Sequence, residues 1–261
     1  MYKELENKTA VITGGAKGIG LSTAEIFVRE GANVIILDLD EKAGKEAEKR
    51  LGNKALFLAL DVTKSELIQK AIDSGLERFG GIHYLVNNAG IIHYANAVTC
   101  EEKDWDRVMS VNLKSYYLMA KYTIPHMIKS GGGVVINVGS AQSFLSSANN
   151  IHYTTAKTAI LGLTRGIAVD FAPKIRCLSV CPGTVDTPMA RNAWAEAADP
   201  EAIHQDSIGM HLLKRIAKPE EVAELIVFSC GEKCGFMTGQ HIRVDGGLGV
   251  AVPGSVTEDD F

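Results

Sequence analysis

Cysteine is scarce in this chain, with five residues in 261: Cys100, Cys177, Cys181, Cys230 and Cys234. An odd count without a secretory signal points to free thiols in a reducing compartment and against a disulfide scaffold. Cys177 and Cys181 lie in the apolar run 175–181, where a thiol behaves as a small hydrophobe. Cys230 and Cys234 lie near each other, but two thiols without a histidine cluster make a poor metal site. The seven histidines show no HExxH or other ligand spacing, so no metal is expected. Long hydrophobic runs are also missing. No stretch reaches the roughly 18 apolar residues of a membrane span. The first eight residues carry charges of both signs and no apolar h-region, unlike a signal peptide, so a cytoplasmic location is expected. A formal net charge of −4 gives no broad pull toward nucleic acid or anionic membrane. Repeats, low-complexity segments and linkers are absent, and a single domain over 1–261 is the simplest reading.

What is present is a core, with 46% hydrophobic residues, and a regular alternation of element types. Short β-rich runs are predicted at 9–13, 33–38, 55–60, 82–87, 134–138, 175–181 and 240–244. Helical patterns are predicted at 18–30, 40–51, 64–79, 101–129 and 152–171. The strands are near-continuous apolar runs, as expected when helices cover both sheet faces. Alternating β and α elements imply an α/β fold with a parallel, doubly wound seven-stranded sheet and right-handed crossovers. The stretch 187–218 is the least regular. It follows the sixth strand, at the carboxyl edge where ligands bind in such sheets.

Three motifs stand in order along this frame. The first is Thr13-Gly14-Gly15-Ala16-Lys17-Gly18-Ile19-Gly20, between the first strand and the first helix. Its glycines allow a tight turn and close approach to a pyrophosphate, and the helix N-terminus supplies amide donors. Asp38 ends the second strand some twenty residues on. A carboxylate there accepts hydrogen bonds from ribose hydroxyls and repels a 2′-phosphate. Lys17 pulls the other way, but Asp38 would sit nearer the discriminating group, which favours NAD over NADP. The second motif is Asn87-Asn88-Ala89-Gly90. The third is Ser140 followed by Tyr153-Thr154-Thr155-Ala156-Lys157. Tyr153 and Lys157 lie one helical turn apart on one face, and a nearby ammonium is expected to lower the phenol pKa from its usual value of about 10.

At these residues the chain resembles the short-chain dehydrogenase/reductase family, from Lys8 to Gly247. The resemblance implies a Rossmann fold and NAD(P)-dependent hydride transfer to or from a hydroxyl-bearing carbon. It implies that Tyr153 is the acid–base group, Lys157 its partner, Ser140 the group that orients the substrate oxygen, and Asn112 the holder of a relay water. It places Gly14, Lys17, Gly18, Ile19 and Gly20 around the pyrophosphate, Asp61 and Val62 at the adenine, and Asn88, Ala89 and Gly90 beside the adenosine ribose. Pro182, Gly183 and Thr187 are placed at the nicotinamide carboxamide, with Tyr153 and Lys157 also touching the cofactor. Asp61 has a structural alternative as a helix N-cap, with Thr63 as a rival.

The run 175–188 looks like that of aldose and polyol dehydrogenases within the family. Oxidation of a sugar at its anomeric carbon is therefore expected. A polyol, cyclic or other secondary alcohol, or reduction of a 3-oxoacyl group, are the alternatives. A non-catalytic dinucleotide sensor is a further class, disfavoured because all four tetrad positions are filled. By resemblance, 187–218 is a substrate lid carrying Trp194; the alternative is a surface helical excursion. Gln142 is a candidate substrate contact. His93 and His152 face either the substrate or ordinary polar neighbours. A tail at about 248–261 is either a lid or a frayed end. Family members form dimers or tetramers through the long helix and the Tyr-Lys helix. Tyr116, Tyr117, Met119, Leu161, Leu163 and Ile167 are read as apolar surface for a homotetramer.

Overall fold

The computed structural model describes residues 2–250. Seven strands form one sheet: β1 (Thr9–Thr13), β2 (Asn33–Asp38), β3 (Ala55–Ala59), β4 (Tyr84–Asn87), β5 (Gly133–Val138), β6 (Ile175–Pro182) and β7 (His241–Val244). Their order is β3-β2-β1-β4-β5-β6-β7 and every pairing is parallel. Ile12 lies opposite Ile36 on one side and Val86 on the other. All five residues of β1 are buried, so the strand reads as a continuous apolar run with a threonine at each end.

Side chains alternate across the sheet and feed two apolar layers. Ala10, Ile12, Val34 and Ile36 pack on one face beneath α1 (Gly18–Arg29), α2 (Glu41–Leu51) and a C-terminal helix at Pro219–Cys230. Val11, Ile35, Leu37 and Val135 pack on the other beneath α3 (Ser65–Phe79), a helix at Ser115–Lys129 and the long helix Ile151–Phe171. The fold is thus a single-domain, doubly wound Rossmann sheet with helices on both faces. Strand order reverses between β1 and β4, and the crevice at their carboxyl ends is the position such a sheet offers a ligand.

Four features differ from the sequence reading. The helix expected over 101–129 is α4 (Glu102–Met109), a π turn (Ser110–Lys114) and α5 (Ser115–Lys129). After α6 (Ile151–Phe171), the stretch 187–218 contains two helices, α7 (Pro188–Ala195) and α8 (Pro200–Gly209). Each begins on an oxygen-bearing cap followed by proline: Thr187 accepts from Ala190 N–H, and Asp199 from Ala202 N–H. The Pro219–Cys230 helix, α9, has no counterpart among the predicted helices, although Pro219-Glu220-Glu221 is a start signal of the same kind. Finally, Tyr116 and Met119 are fully buried, and Leu161 and Ile167 nearly so. Of the six residues read as interface surface, Tyr117 is the one half exposed. Most of the expected tail, 251–261, lies outside the described residues.

Candidate active site

A cleft of about 1350 Å³ opens along the carboxyl edge of the sheet. Among the predicted site residues it is lined by Gly14, Lys17, Gly18, Ile19, Asp38, Asp61, Val62, Asn88, Ala89, Gly90, Ser140, Gln142, Tyr153, Lys157, Pro182, Gly183, Thr187 and Trp194. Gly20 and Asn112 lie behind its wall.

The glycine loop is shaped by contact and by dihedral angle. Gly14 and Gly18 have φ of +61° and +53°, the left-handed region glycine favours. A Cβ on Gly20 would fall 2.1 Å from Gly14 O, so the loop and the first turn of α1 tolerate no side chain there. No side chain caps α1, which leaves its first-turn amides directed at the cleft. Asn88 braces this loop. Its Nδ2 donates to Thr13 O at 3.1 Å and Gly14 O at 3.0 Å, and Thr13 Oγ1 accepts from the backbone N–H groups of Asn88 and Ala89. The Asn88 side chain therefore holds two loops together.

Asp38 closes β2 with its carboxylate oriented by two amides, Ala16 N–H on Oδ2 and Asp40 N–H on Oδ1, each at 3.0 Å. Lys17 does not act as a free cation. It pairs with Asp40, the N-cap of α2, and that hydrogen bond holds the lysine above its ordinary pKa. Asp61 does not cap α3, and neither does Thr63. The cap position is Lys64, and Asp61 Oδ1 instead accepts from Thr63 N–H at 2.9 Å and Thr63 Oγ1 at 2.7 Å.

At the other end, α6 brings Tyr153 and Lys157 beside Ser140, which follows β5. Ser140 caps a short 3₁₀ turn (Ala141–Ser143), accepting from Gln142 N–H at 3.1 Å. Burial raises the Tyr153 phenol above its ordinary range, and the Ser140 hydroxyl opposes this by hydrogen bonding. Lys157 is not among the groups that lower it. Its buried Nζ donates to Val138 O at 2.8 Å and to Tyr116 OH at 3.4 Å, while lying 5.6 Å from the Tyr153 ring centre. The ammonium thus faces the Tyr153 ring and hydrogen-bonds a carbonyl and a second tyrosine, so its influence on the phenol acts through space. The four-carbon stem carries the ammonium past the phenol to a carbonyl, and desolvation dominates both groups. Burial also lowers Lys157 to about 8.

Asn112 sits in the π turn, fully buried, and clasps the backbone of Ile91. Ile91 N–H donates to Oδ1 and Nδ2 donates to Ile91 O, both at 2.8 Å. Its amide is thus committed to the loop after β4, which leaves the main chain as the part available for the expected water. Local departures from α geometry recur at functional sites.

The outer part of the cleft has two kinds of wall. Ser146, Ser147 and Asn150 supply hydroxyls and an amide, while Leu145, Met189, Trp194, Ile203 and Met210 are apolar. Gln142 lines it, but both ends of its amide are engaged, Nε2 with Ser147 and Oε1 with Thr154. Trp194 packs against His204 in a tilted arrangement, 4.7 Å between ring centres. His93 and His152 do not line the cleft. His152 is fully buried, edge-on to His93, and neither of its nitrogens finds a partner among the described residues. Sequence reasoning gave no individual site role to four further residues. His211, fully buried, accepts from Thr184 N–H on Nε2 and donates from Nδ1 to Ser207 O, tying the end of α8 to the segment after β6. Leu248 lines the cleft, and Arg243 holds that turn by bonding Asp245 and Leu248 O while lying over the Phe144 ring. Tyr116 touches Lys157 from below.

Comparison with known proteins shows the family. A family model described as enoyl-(acyl carrier protein) reductase matches residues 14–249. An uncharacterized oxidoreductase of Thermotoga maritima is 38% identical over 246 residues, covering 93% of this chain and 97% of the relative. The chain belongs to the short-chain dehydrogenase/reductase family. Among solved structures, ligand-free aldohexose dehydrogenase of Thermoplasma acidophilum superposes with a TM-score of 0.91 at 36% identity, covering 99% of this chain and all of that one. A 3-ketoacyl-(acyl-carrier-protein) reductase of Brucella melitensis, complexed with NADH, gives 0.86 at 32% identity, covering 94% and 99%. Membership makes the chain an oxidoreductase of a family that binds NAD(P).

Proposed function

We propose that this short-chain dehydrogenase/reductase is an NAD-preferring dehydrogenase that oxidises a hydroxyl of a neutral sugar, at the anomeric carbon to a lactone. The observation that carries the chemistry is the convergence of Ser140, Tyr153 and Lys157 at one end of a cleft whose other end is built from glycines and the open terminus of α1. The cradle fits a dinucleotide. A Cβ on Gly90 would lie in ordinary contact with Asn112 Oδ1 and Lys157 Nζ, at 3.6 and 3.8 Å, so this floor adjoins both side chains. Gly14, Lys17, Gly18, Ile19 and Gly20 would enclose the pyrophosphate, Asp38 the adenosine ribose, Asp61 and Val62 the adenine. Ala89 and Gly90 would lie beside the ribose, and Pro182, Gly183 and Thr187 at the nicotinamide. Bound NAD supplies the hydride acceptor.

The chain's own groups manage the proton. Tyr153 takes it from the substrate hydroxyl, and Ser140, beside the phenol, holds the substrate oxygen and favours the phenolate. Lys157 contributes positive charge beneath the site, and Asn112 secures the loop that carries Gly90. The Lys17–Asp40 pair leaves Asp38 as the nearer charge for a 2′-phosphate to meet, which supports NAD over NADP.

Two features support a neutral, two-faced substrate. Apart from Lys157, the segments 140–157 and 182–210 place no acidic or basic side chain on the lining. One wall offers hydroxyls and the other Trp194 and methionines, which suits a sugar ring with polar edges and an apolar face. The likeness to an aldohexose dehydrogenase supports the same reading. The apolar members Ile92, Leu145, Ile203 and Leu248 favour a second reading, a secondary alcohol with an apolar body. In either case 187–218 is the substrate lid, and we place the enzyme in the cytoplasm as a homotetramer. Among the described residues no helix is long and apolar enough to cross a membrane.

Initial rates with NAD and NADP across aldoses, polyols, cyclic alcohols and 3-oxoacyl esters test this. The expected result is an NAD-linked rate highest on one aldose; activity confined to nonsugar alcohols rejects the sugar reading. Tyr153→Phe should fold, bind NAD and lose at least about 100-fold in kcat, whereas near-normal turnover rejects the assignment of the acid–base group.

A further inference from the structure

Lys157 has two tyrosine neighbours, and the second comes from another helix. Tyr116 stands four residues after Asn112, immediately past the π turn, and its side chain is fully buried. Its hydroxyl closes a triangle: Lys157 Nζ donates to it at 3.4 Å, Lys157 Nζ donates to Val138 O at 2.8 Å, and Tyr116 OH donates to Val138 O at 3.2 Å. The ammonium lies 5.5 Å from the centre of the Tyr116 ring and 5.6 Å from that of Tyr153, bracketed by two aromatic rings. A leucine or phenylalanine would fill this core position as well for packing alone. The phenol adds one acceptor where a desolvated ammonium needs it.

We propose that Tyr116 is a positioning residue for Lys157. Its hydroxyl, itself pinned by Val138 O, keeps the buried ammonium charged and directed at the floor of the cleft below Gly90. The groups that face Lys157 support this. Burial raises the Tyr153 phenol on its own helix and the Cys181 thiol on β6, so neither is a standing carboxylate-like counter-ion in the ligand-free site. Tyr116 is itself pushed above its ordinary range by burial and stays a neutral acceptor. Among the described residues no carboxylate pairs with Lys157, which bonds Val138 O and the Tyr116 hydroxyl instead. The kinetic part of the inference rests on the reading of Lys157 as a working ammonium; the structural part does not.

The test is a ¹³Cε NMR titration of Lys157 in the full chain, assigned with Lys157→Arg, beside pH profiles of kcat/KM. In Tyr116→Phe the Lys157 midpoint should fall by on the order of one pH unit, because the charged form loses an acceptor. The alkaline limb of kcat/KM should fall by the same interval. Tyr116→Met, which also lacks the hydroxyl but packs flexibly, should give the same shift and serves if the Phe variant folds poorly. An unmoved midpoint, with only a lower Tm, would make Tyr116 a packing residue and overturn the proposal. A midpoint that falls in a protein without NAD(P)-linked turnover supports the positioning role and rejects the proposed function instead.

Discussion

The burial of one amine sets activity against stability. Lys157 is nearly inaccessible and its folded-state pKa is about 8, against an unfolded reference near 10.5. The folded state therefore binds its proton less tightly than the unfolded one. The cost to folding is fully present below pH 8 and fades as pH rises through about 10.5. Lys157→Met removes the charge, and Val138 O keeps the Tyr116 hydroxyl as donor. We expect a higher Tm at pH 6–7, a difference that shrinks toward pH 10, and loss of nearly all turnover; calorimetry across that range and a rate assay check both halves. A lower Tm at pH 6–7 rejects this account. Sequence showed Tyr153, Lys157 and Ser140 because their chemistry and spacing are distinctive. It did not show Tyr116, whose role depends on which face of a largely apolar helix turns inward. Nor did it show how Lys157 would be partnered, since a helical spacing brings two side chains near each other without fixing where a long flexible stem ends.

Elements with regular periodicity were legible, and those marked by their ends alone were not. The seven strands and the helices at α1, α2, α3 and α6 follow from apolar runs and amphipathic repeats. Helices α7, α8 and α9 announce themselves through a cap or acidic residue beside proline, a weaker signal beside the irregular composition of 187–218. The π turn does not show in the periodicity; its one local signal is Asn112, a poor helix former whose amide binds Ile91. Helix-to-sheet contact can also overrule local preference. Gly44 in α2 faces Phe57 on β3, and a Cβ there would lie 2.0 Å from the ring. Gly44→Ala gains about 1 kcal/mol of helix propensity, while forcing a buried ring aside costs typically 1–3 kcal/mol. Contact should win. Denaturant unfolding is expected to show net destabilisation on the order of 1 kcal/mol, and a gain in stability would mean that α2 sits further from the sheet.

At the scale of the molecule, the site is a property of sheet order. Loops after β1, β2, β3, β4, β5 and β6 meet along one edge, so residues as distant as Gly14 and Gly183 line the same cleft. A ligand that bridges these loops binds only the folded chain and must stabilise it globally. At 100-fold over its Kd the gain is about 2.7 kcal/mol, or roughly 5–10 °C in Tm for a chain of this size. NAD should therefore raise Tm by more than NADP at equal concentration, because Asp38 meets ribose hydroxyls in one and a phosphate in the other. Asp38→Ala complicates the comparison, since the carboxylate also accepts from Ala16 and Asp40 amides. Its ligand-free Tm should fall for that reason alone. The informative quantity is each protein's shift from its own ligand-free value. In the variant the NAD and NADP shifts should converge, the NADP shift growing as the repulsion disappears. A larger NADP shift in the unaltered protein would reverse the cofactor assignment. Unchanged shifts in the variant would move the selectivity elsewhere along the edge, with Lys17 released from Asp40 as the first place to look.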